Sequence, residues 1–267
     1  MKPISDTLKG KISHVEWKAR IELAALYRLV AHFGWDDLIF THISARVAAK
    51  DSLIRNGDDY VASDEDHFLI NPYGLFFDEI TASSLVKVDQ NAKIVQDEQA
   101  LINPAGFTIH SAVHGALHKA HYVIHLHTDA MTAVSIQEEG LLPLTQNALL
   151  LRPQVAYHDY EGVALDHEER ARIVADMGDK RLLILRNHGS LTWGESAAEA
   201  VVAMHFLERA CRQQLLALSG GRQMVREVPL LVQDKVAQLS GSIGFVAGLA
   251  WPGLLRKLDR HLPGYDL

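Results

Sequence analysis

The chain has 267 residues, 48% apolar and 22% charged, enough to bury the core of one large domain or two small ones and too apolar for wholesale disorder. Its formal charge of −7, with 26 Lys and Arg against 33 Asp and Glu and no long like-charge block, excludes the basic stripe of a nucleic-acid reader. The single cysteine, Cys211, excludes an internal disulfide framework and suits a reducing, cytoplasmic setting; no signal-type apolar run opens the chain, and no stretch of about 18 apolar residues offers a membrane span.

In chain order, Ser13-His14-Val15-Glu16 reads as a capping box opening a helix that ends at Gly34. Residues 38–47, rich in β-branched side chains, predict a strand, and residues 67–70 a second one stopped by the turn Asn71-Pro72-Tyr73-Gly74. Residues 84–89 and 93–96 suggest a hairpin. Asn103-Pro104-Ala105-Gly106 reads as a loop before a helix over 107–120. Residues 122–128 predict a buried strand, with Asp129 able to cap the helix that follows. A helix over 166–177 closes at Gly178, and strands at 182–185 and 190–193 flank the loop Arg186-Asn187-His188-Gly189. A long helix over 195–218 ends at Gly220-Gly221. There is no internal repeat, and about 45 residues after the glycine pair are too few to fold alone. The expectation is a single domain over 1–267, with 222–267 as an extension packing on it or on a neighbour. Short strands mixed with helices argue for a helix-covered sheet in a layered α/β architecture.

Histidine is over-represented, with 15 residues. In His125-Leu126-His127 the two imidazoles share one face of a strand, because side chains two apart point the same way. Two buried imidazoles without partners are costly, whereas one cation accepts both lone pairs; a pair of hydrogen-bonded core histidines is the plainer alternative. His188, at the end of an apolar strand, completes three nitrogens and leaves a coordination position open, the layout of a catalytic metal site. His110, His114 and His118 form a rival stripe at helical spacing, without the acidic residue of the zinc-protease helix. His114 and His118 read as a solvated or interface face, and His110 as a contact near the substrate. Met131 and Met204 read as core.

Five stretches, Thr41-His42-Ile43-Ser44-Ala45-Arg46, Leu69-Ile70-Asn71-Pro72-Tyr73-Gly74, Asn103-Pro104-Ala105-Gly106-Phe107, His125-Leu126-His127-Thr128 and Arg186-Asn187-His188-Gly189, strongly resemble the class II aldolase/adducin head-domain family over roughly residues 13–218. The resemblance implies a three-layer α/β/α fold with a central mixed, largely antiparallel sheet. It also implies a divalent metal on His125, His127 and His188, and a homo-oligomer, usually a tetramer, with sites between neighbours. Zinc is the first expectation, with Mn, Fe or Co as alternatives. Thr41, Ser44, Asn71 and Asn103 are the substrate-binding candidates within these motifs.

The chain also departs from the sugar-phosphate aldolases of that family. Their acidic residue, four positions before the helix histidine, corresponds here to Gly106, and their phosphate-binding serine pair to Pro104-Ala105. The Asn-Pro-Ala-Gly-Phe form is that of the adducin-like branch, although nothing after Gly221 resembles adducin's neck and lysine-rich tail. The expected activity is a metal-dependent lyase reaction, aldol cleavage or decarboxylation, on a small non-phosphorylated carbonyl or hydroxy-acid substrate, with the metal polarising the carbonyl. An iron-dependent oxidative decarboxylase and a non-catalytic scaffold are the alternatives. His110, Tyr157 and Asp159, with His158 beside them, are the proton-transfer candidates.

Overall fold

The structure, a computed structural model, describes residues 8–57, 59–96, 100–162 and 168–267. Helix α1 (His14–Phe33) starts where the Ser13 hydroxyl accepts the Glu16 N–H at 3.0 Å and stops at Gly34, whose φ of 67° lets its N–H turn back onto Ala31 O. The expected capping box is only half made. The Glu16 carboxylate turns inward instead, taking Arg20 at 3.0 Å and Lys87, all three side chains fully buried.

The remaining elements are β1 (His42–Val47), β2 (Leu53–Asn56), β3 (Asp59–Ala62), β4 (His67–Ile70), β5 (Val86–Val88), α2 (Pro104–Ala116), β6 (Tyr122–Leu126), α3 (Asp129–Ser135), α4 (Gln146–Leu151), β7 (Val155–His158), α5 (Glu169–Met177), β8 (Leu182–Leu185), β9 (Gly189–Gly194), α6 (Ala197–Leu218), α7 (Leu230–Ala237) and α8 (Ile243–His261). Seven strands form one sheet in the order β5-β4-β1-β6-β9-β8-β7, antiparallel throughout except for the β7–β8 pair. The short hairpin β2–β3 stands apart from it.

Strand alternation sorts the sheet into two faces. Ile43, Ile124, Leu126, Leu182 and Ile184 join the main core under α1, α3, α6 and α8. Val123, Leu183, Leu185 and Leu191 pack with Ile109 and Val113 of α2 and Ile173 and Met177 of α5. The result is the expected three-layer arrangement around a mixed sheet. The extension packs on its own domain: Ile243, Ala247 and Leu258 are buried, and the chain end gives Tyr265 O and Leu267 O to the N–H groups of Ala82 and Ser83.

Several predicted boundaries shift for local reasons. The first strand begins at His42, not 38, because Leu38 and Thr41 take φ values of 51° and 64°, outside any strand. The second arm of the 84–96 hairpin shrinks to a single Val88–Ile94 bridge. The segment from Pro104 to Gly106 is not a loop but the first turn of α2, with proline in the position that needs no N–H; that helix stops at Ala116 rather than 120. Thr128, not Asp129, caps α3, accepting from Met131 N at 3.2 Å. The expected start of the 166–177 helix falls partly outside the described residues, and α5 runs from Glu169.

Candidate metal centre

The central strand β6 carries His125 toward α2, and His127 follows just past its end. His188 sits in the tight turn between β8 and β9, where Asn187 takes a φ of 56° and the His188 N–H returns to Leu185 O at 3.1 Å. Gly189 is needed there, because a Cβ would lie 2.5 Å from Leu126 O and 2.9 Å from the His127 ring. The three histidines thereby meet at one point: His127 Nε2 lies 2.9 Å from His125 Nε2 and 2.8 Å from His188 Nε2.

Their outer nitrogens fix the tautomers. His125 Nδ1 faces the Ser190 carbonyl at 3.2 Å and His127 Nδ1 the Asp37 carboxylate at 3.2 Å; both partners can only accept, so both Nδ1 atoms carry the proton. His125 Nε2 and His127 Nε2 then present bare lone pairs to each other at 2.9 Å, with His188 Nε2 beside them. Burial and the neighbouring histidines hold His125 well below the usual imidazole range, and burial with His127 brings His188 down to about 4, so these rings are neutral at pH 7. Converging lone pairs without a proton between them repel, and a cation relieves that repulsion. Ligands of a tetrahedral ion at about 2.0–2.1 Å stand about 3.3 Å apart, so the rings need to open by roughly half an ångström. The donor set, with a carboxylate behind one imidazole and a carbonyl behind another, fits a divalent metal. Beside His127 opens a cleft of about 700 Å³, lined by Trp35, Asp37, Asp129, Glu208 and Arg212 among others.

Behind the triad, a second histidine cluster lies between β1 and α2. His42 pairs with His125 in the sheet, and their rings are 5.0 Å apart. His42 Nδ1 meets His110 Nε2 at 2.8 Å, His110 Nδ1 meets Ser44 Oγ at 2.6 Å, Ser44 Oγ meets His114 Nε2 at 2.7 Å, and His114 Nδ1 meets Ala120 O at 2.8 Å. Burial holds His42 and His110 well below the ordinary range and takes His114 down to about 3. His42 also fills the space beside Gly106, where an added Cβ would sit 2.1 Å from its Cδ2 and 2.2 Å from its Nε2.

The family of domains described as Class II Aldolase and Adducin N-terminal domain matches residues 21–215. The chain belongs to the class II aldolase and adducin family. This class II aldolase/adducin chain is 60% identical over 260 residues to a Caulobacter vibrioides protein whose name assigns it provisionally to the class 2 aldolases, covering 97% of this chain and 96% of that one. It is 43% identical to rat alpha-adducin over 234 residues, 86% of this chain but 29% of adducin. Among solved structures, an aldolase II superfamily protein of Pseudomonas syringae superposes with a TM-score of 0.87 at 46% identity, covering 97% and 99% of the two chains. An L-fuculose 1-phosphate aldolase of Glaciozyma antarctica shares the fold, with a TM-score of 0.73 at 24% identity and 92% of each chain covered.

The other sequence candidates in this family member separate. Asp159 lines a small crevice with His188 and Tyr160, on the side of the triad. Tyr157 does not come near it: its ring packs into the opposite core, its hydroxyl accepts Leu141 N–H at 2.9 Å and Arg186 lies over its face. His158, buried, is held by Asp176 at 2.7 Å. Asn71 is a buried structural partner, its Oδ1 2.7 Å from the Tyr27 hydroxyl, which also accepts the Ile43 and Asn71 N–H groups. Thr41 is buried with a strained backbone and no partner for Oγ1 among the described residues. Ser44 and His110 belong to the inner cluster, His110 one residue and Ser44 two residues removed from the triad, and Asn103 precedes α2 without capping it. His114 is not on a solvated face but wholly buried, because α2 lies flat on the sheet with that face inward. His42 and Asp37 are the participants that sequence reasoning missed. The alternation His42-x-Ser44 was the available signal for the first; nothing marked Asp37 among 33 acidic residues.

Proposed function

We propose that the chain is a metal-dependent lyase acting on a small, non-phosphorylated carbonyl or hydroxy-acid substrate. The observation that carries this is the convergence of three Nε2 atoms, with Asp37 and the Ser190 carbonyl fixing two of the rings from behind. A divalent cation held by His125, His127 and His188, zinc in the first instance, supplies Lewis-acid polarisation of a substrate oxygen. Asp37 keeps the His127 ring turned and its Nε2 basic, Gly189 gives it clearance, and the cleft beside it admits a small ligand. Asp159 and Tyr160 stand in a separate crevice on the His188 side and are the proton-transfer candidates of this proposal.

Weak or absent sugar-phosphate aldol cleavage is supported by Gly106 with His42 packed against it, which leaves no room for the carboxylate expected there, a proton-transfer role worth about 10²–10⁴-fold in rate, and by Pro104-Ala105 in the sequence where hydroxyl donors to a phosphate are expected. Fuculose and ribulose phosphates should therefore turn over weakly or not at all. A homo-oligomer, a tetramer by family resemblance, is supported by the exposed Leu230, Leu231, Phe245 and Leu249 of α7 and α8, which a 30 kDa light-scattering mass would contradict. No described helix is long and apolar enough to cross a membrane; a cytoplasmic location is part of the proposal.

The deciding experiment is elemental analysis of protein purified without chelator or added metal. Near-stoichiometric divalent metal is expected, severely reduced in His127→Ala; full occupancy in a His125, His127 and His188 triple alanine variant sinks the proposal. The competing reading is an adducin-like scaffold, favoured by the 43% identity to alpha-adducin. It is preferred if the metal is absent and no small carbonyl substrate is turned over.

A further inference from the structure

The hydrogen bonds behind the triad have only one consistent direction. The Ala120 carbonyl has no proton to give, so His114 Nδ1 donates to it at 2.8 Å. A neutral imidazole carries one N–H, which leaves His114 Nε2 as an acceptor, and the Ser44 hydroxyl donates to it at 2.7 Å. That hydroxyl has a single proton, now used, so Ser44 Oγ accepts from His110 Nδ1 at 2.6 Å. His110 Nε2 is then bare and takes the proton of His42 Nδ1 at 2.8 Å. Four bonds, each forced by the one before, run from a backbone carbonyl to the ring beside His125. What emerges at the end is His42 Nε2 as an unprotonated acceptor with no partner among the described residues. Its Nε2–Cδ2 edge lies against Gly106, the one residue type that leaves it space.

We propose that Ser44, His110 and His114 are positioning residues that lock His42 in the Nδ1–H tautomer, so that the site meets its ligand there with an acceptor and favours a hydroxyl over an anionic or O-methylated oxygen. This rests on the reading of the triad as a metal centre that binds a small substrate. Its physical basis is that an acceptor facing another lone pair repels it, and a buried polar group left unpaired costs about 1–3 kcal/mol. A carboxylate, and a phosphate in its predominant dianionic form, offer only lone pairs at neutral pH; an alcohol offers a proton. Selection by His42 is therefore a matter of donor direction, independent of what the cation itself prefers.

Neutron diffraction on deuterium-exchanged protein at neutral pH reads the tautomer directly. Deuterium is expected on His42 Nδ1, His110 Nδ1 and His114 Nδ1, with none on His42 Nε2. Deuterium on His42 Nε2 in the wild-type protein overturns the proposal without any variant. Calorimetric titration of glycolate against methoxyacetate then measures selection in wild-type, Ser44→Ala and Ser44→Thr proteins. The wild type should prefer glycolate about tenfold or more, Ser44→Ala should lose most of that ratio, and Ser44→Thr, which restores the hydroxyl, should regain it. An unchanged ratio in a folded Ser44→Ala protein overturns the positioning role. Metal content is measured on the same samples, so that failure of the metal-centre reading shows separately, as empty wild-type protein, while the tautomer result stands on its own.

Discussion

Replacing Gly106 by alanine tests whether His42 truly occupies its flank. Gly106 lies in the first turn of α2, where alanine gains about 0.8–1.0 kcal/mol of helix propensity over glycine. Against this, the new methyl would stand 2.1 Å from His42 Cδ2 and 2.2 Å from Nε2, and overpacking of this kind costs about 1–3 kcal/mol. The ring cannot swing aside freely, since its Nδ1 is bonded to His110 and its face lies along His125. The net expectation for Gly106→Ala in the wild-type background is a loss of up to about 2 kcal/mol. In a His42→Ala background the obstacle is gone, and the same change should stabilise by up to about 1 kcal/mol. The sign reverses, and the coupling equals the overpacking cost. Urea denaturation of the four proteins at one fixed protomer concentration closes the double-mutant cycle. A Gly106→Ala protein more stable than wild type, or a coupling below about 0.5 kcal/mol, would refute the assigned packing.

Asp37→Asn should weaken metal affinity about 10–100-fold while leaving the fold intact, as competition with a chromogenic chelator would reveal; unchanged affinity would remove Asp37 from the centre. Glu16→Gln, which strips the buried Arg20 and Lys87 of their shared counter-charge, should cost about 3–5 kcal/mol in denaturant titrations, and a loss under 1 kcal/mol would show the cluster to be solvated. Acidification should destabilise the fold: His114 binds its proton near pH 6.5 when unfolded but at about 3 when folded, so stability falls as pH drops through 6.5 and the loss levels off near 3. His114 alone accounts for about 2 kcal/mol between pH 7 and pH 5, and urea midpoints that coincide at those two values would contradict its burial as a neutral ring. Cys211, buried and with its thiol pushed up by that burial, should resist alkylation in native protein and react only on unfolding; rapid labelling at pH 8 would place it at an accessible surface.

Much of the frame was legible because it depends on short-range rules. Ser13 and Gly34 bound α1 by capping chemistry, and the apolar runs at 122–126 and 182–185 are strands β6 and β8, both interior to the sheet. The triad was legible from same-face spacing in His125-x-His127, a histidine at a strand end, and the resemblance of the surrounding motifs. What could not be read depends on contacts distant in sequence. The register that sets His42 opposite His125 joins residues 83 positions apart, and no local pattern announces it. The same blindness put His114 on the surface, because helical spacing gives a stripe but not the direction it faces. Strand β7 was missed because Val155, Ala156, Tyr157 and His158 alternate only weakly, and α4 because it is six residues long. The break before β1 was hidden by β-branched residues whose preference the left-handed backbone of Thr41 overrides.

The close fit of His42 against Gly106 also bears on descent. A carboxylate cannot enter position 106 while the ring is in place, and the ring cannot leave without opening a void and stranding His110 Nε2. Either single change passes through a poorer protein, so the two positions must be exchanged together or in an order rescued elsewhere. A lineage that has settled on the imidazole is thereby held there, a ratchet made of one side chain and one missing one.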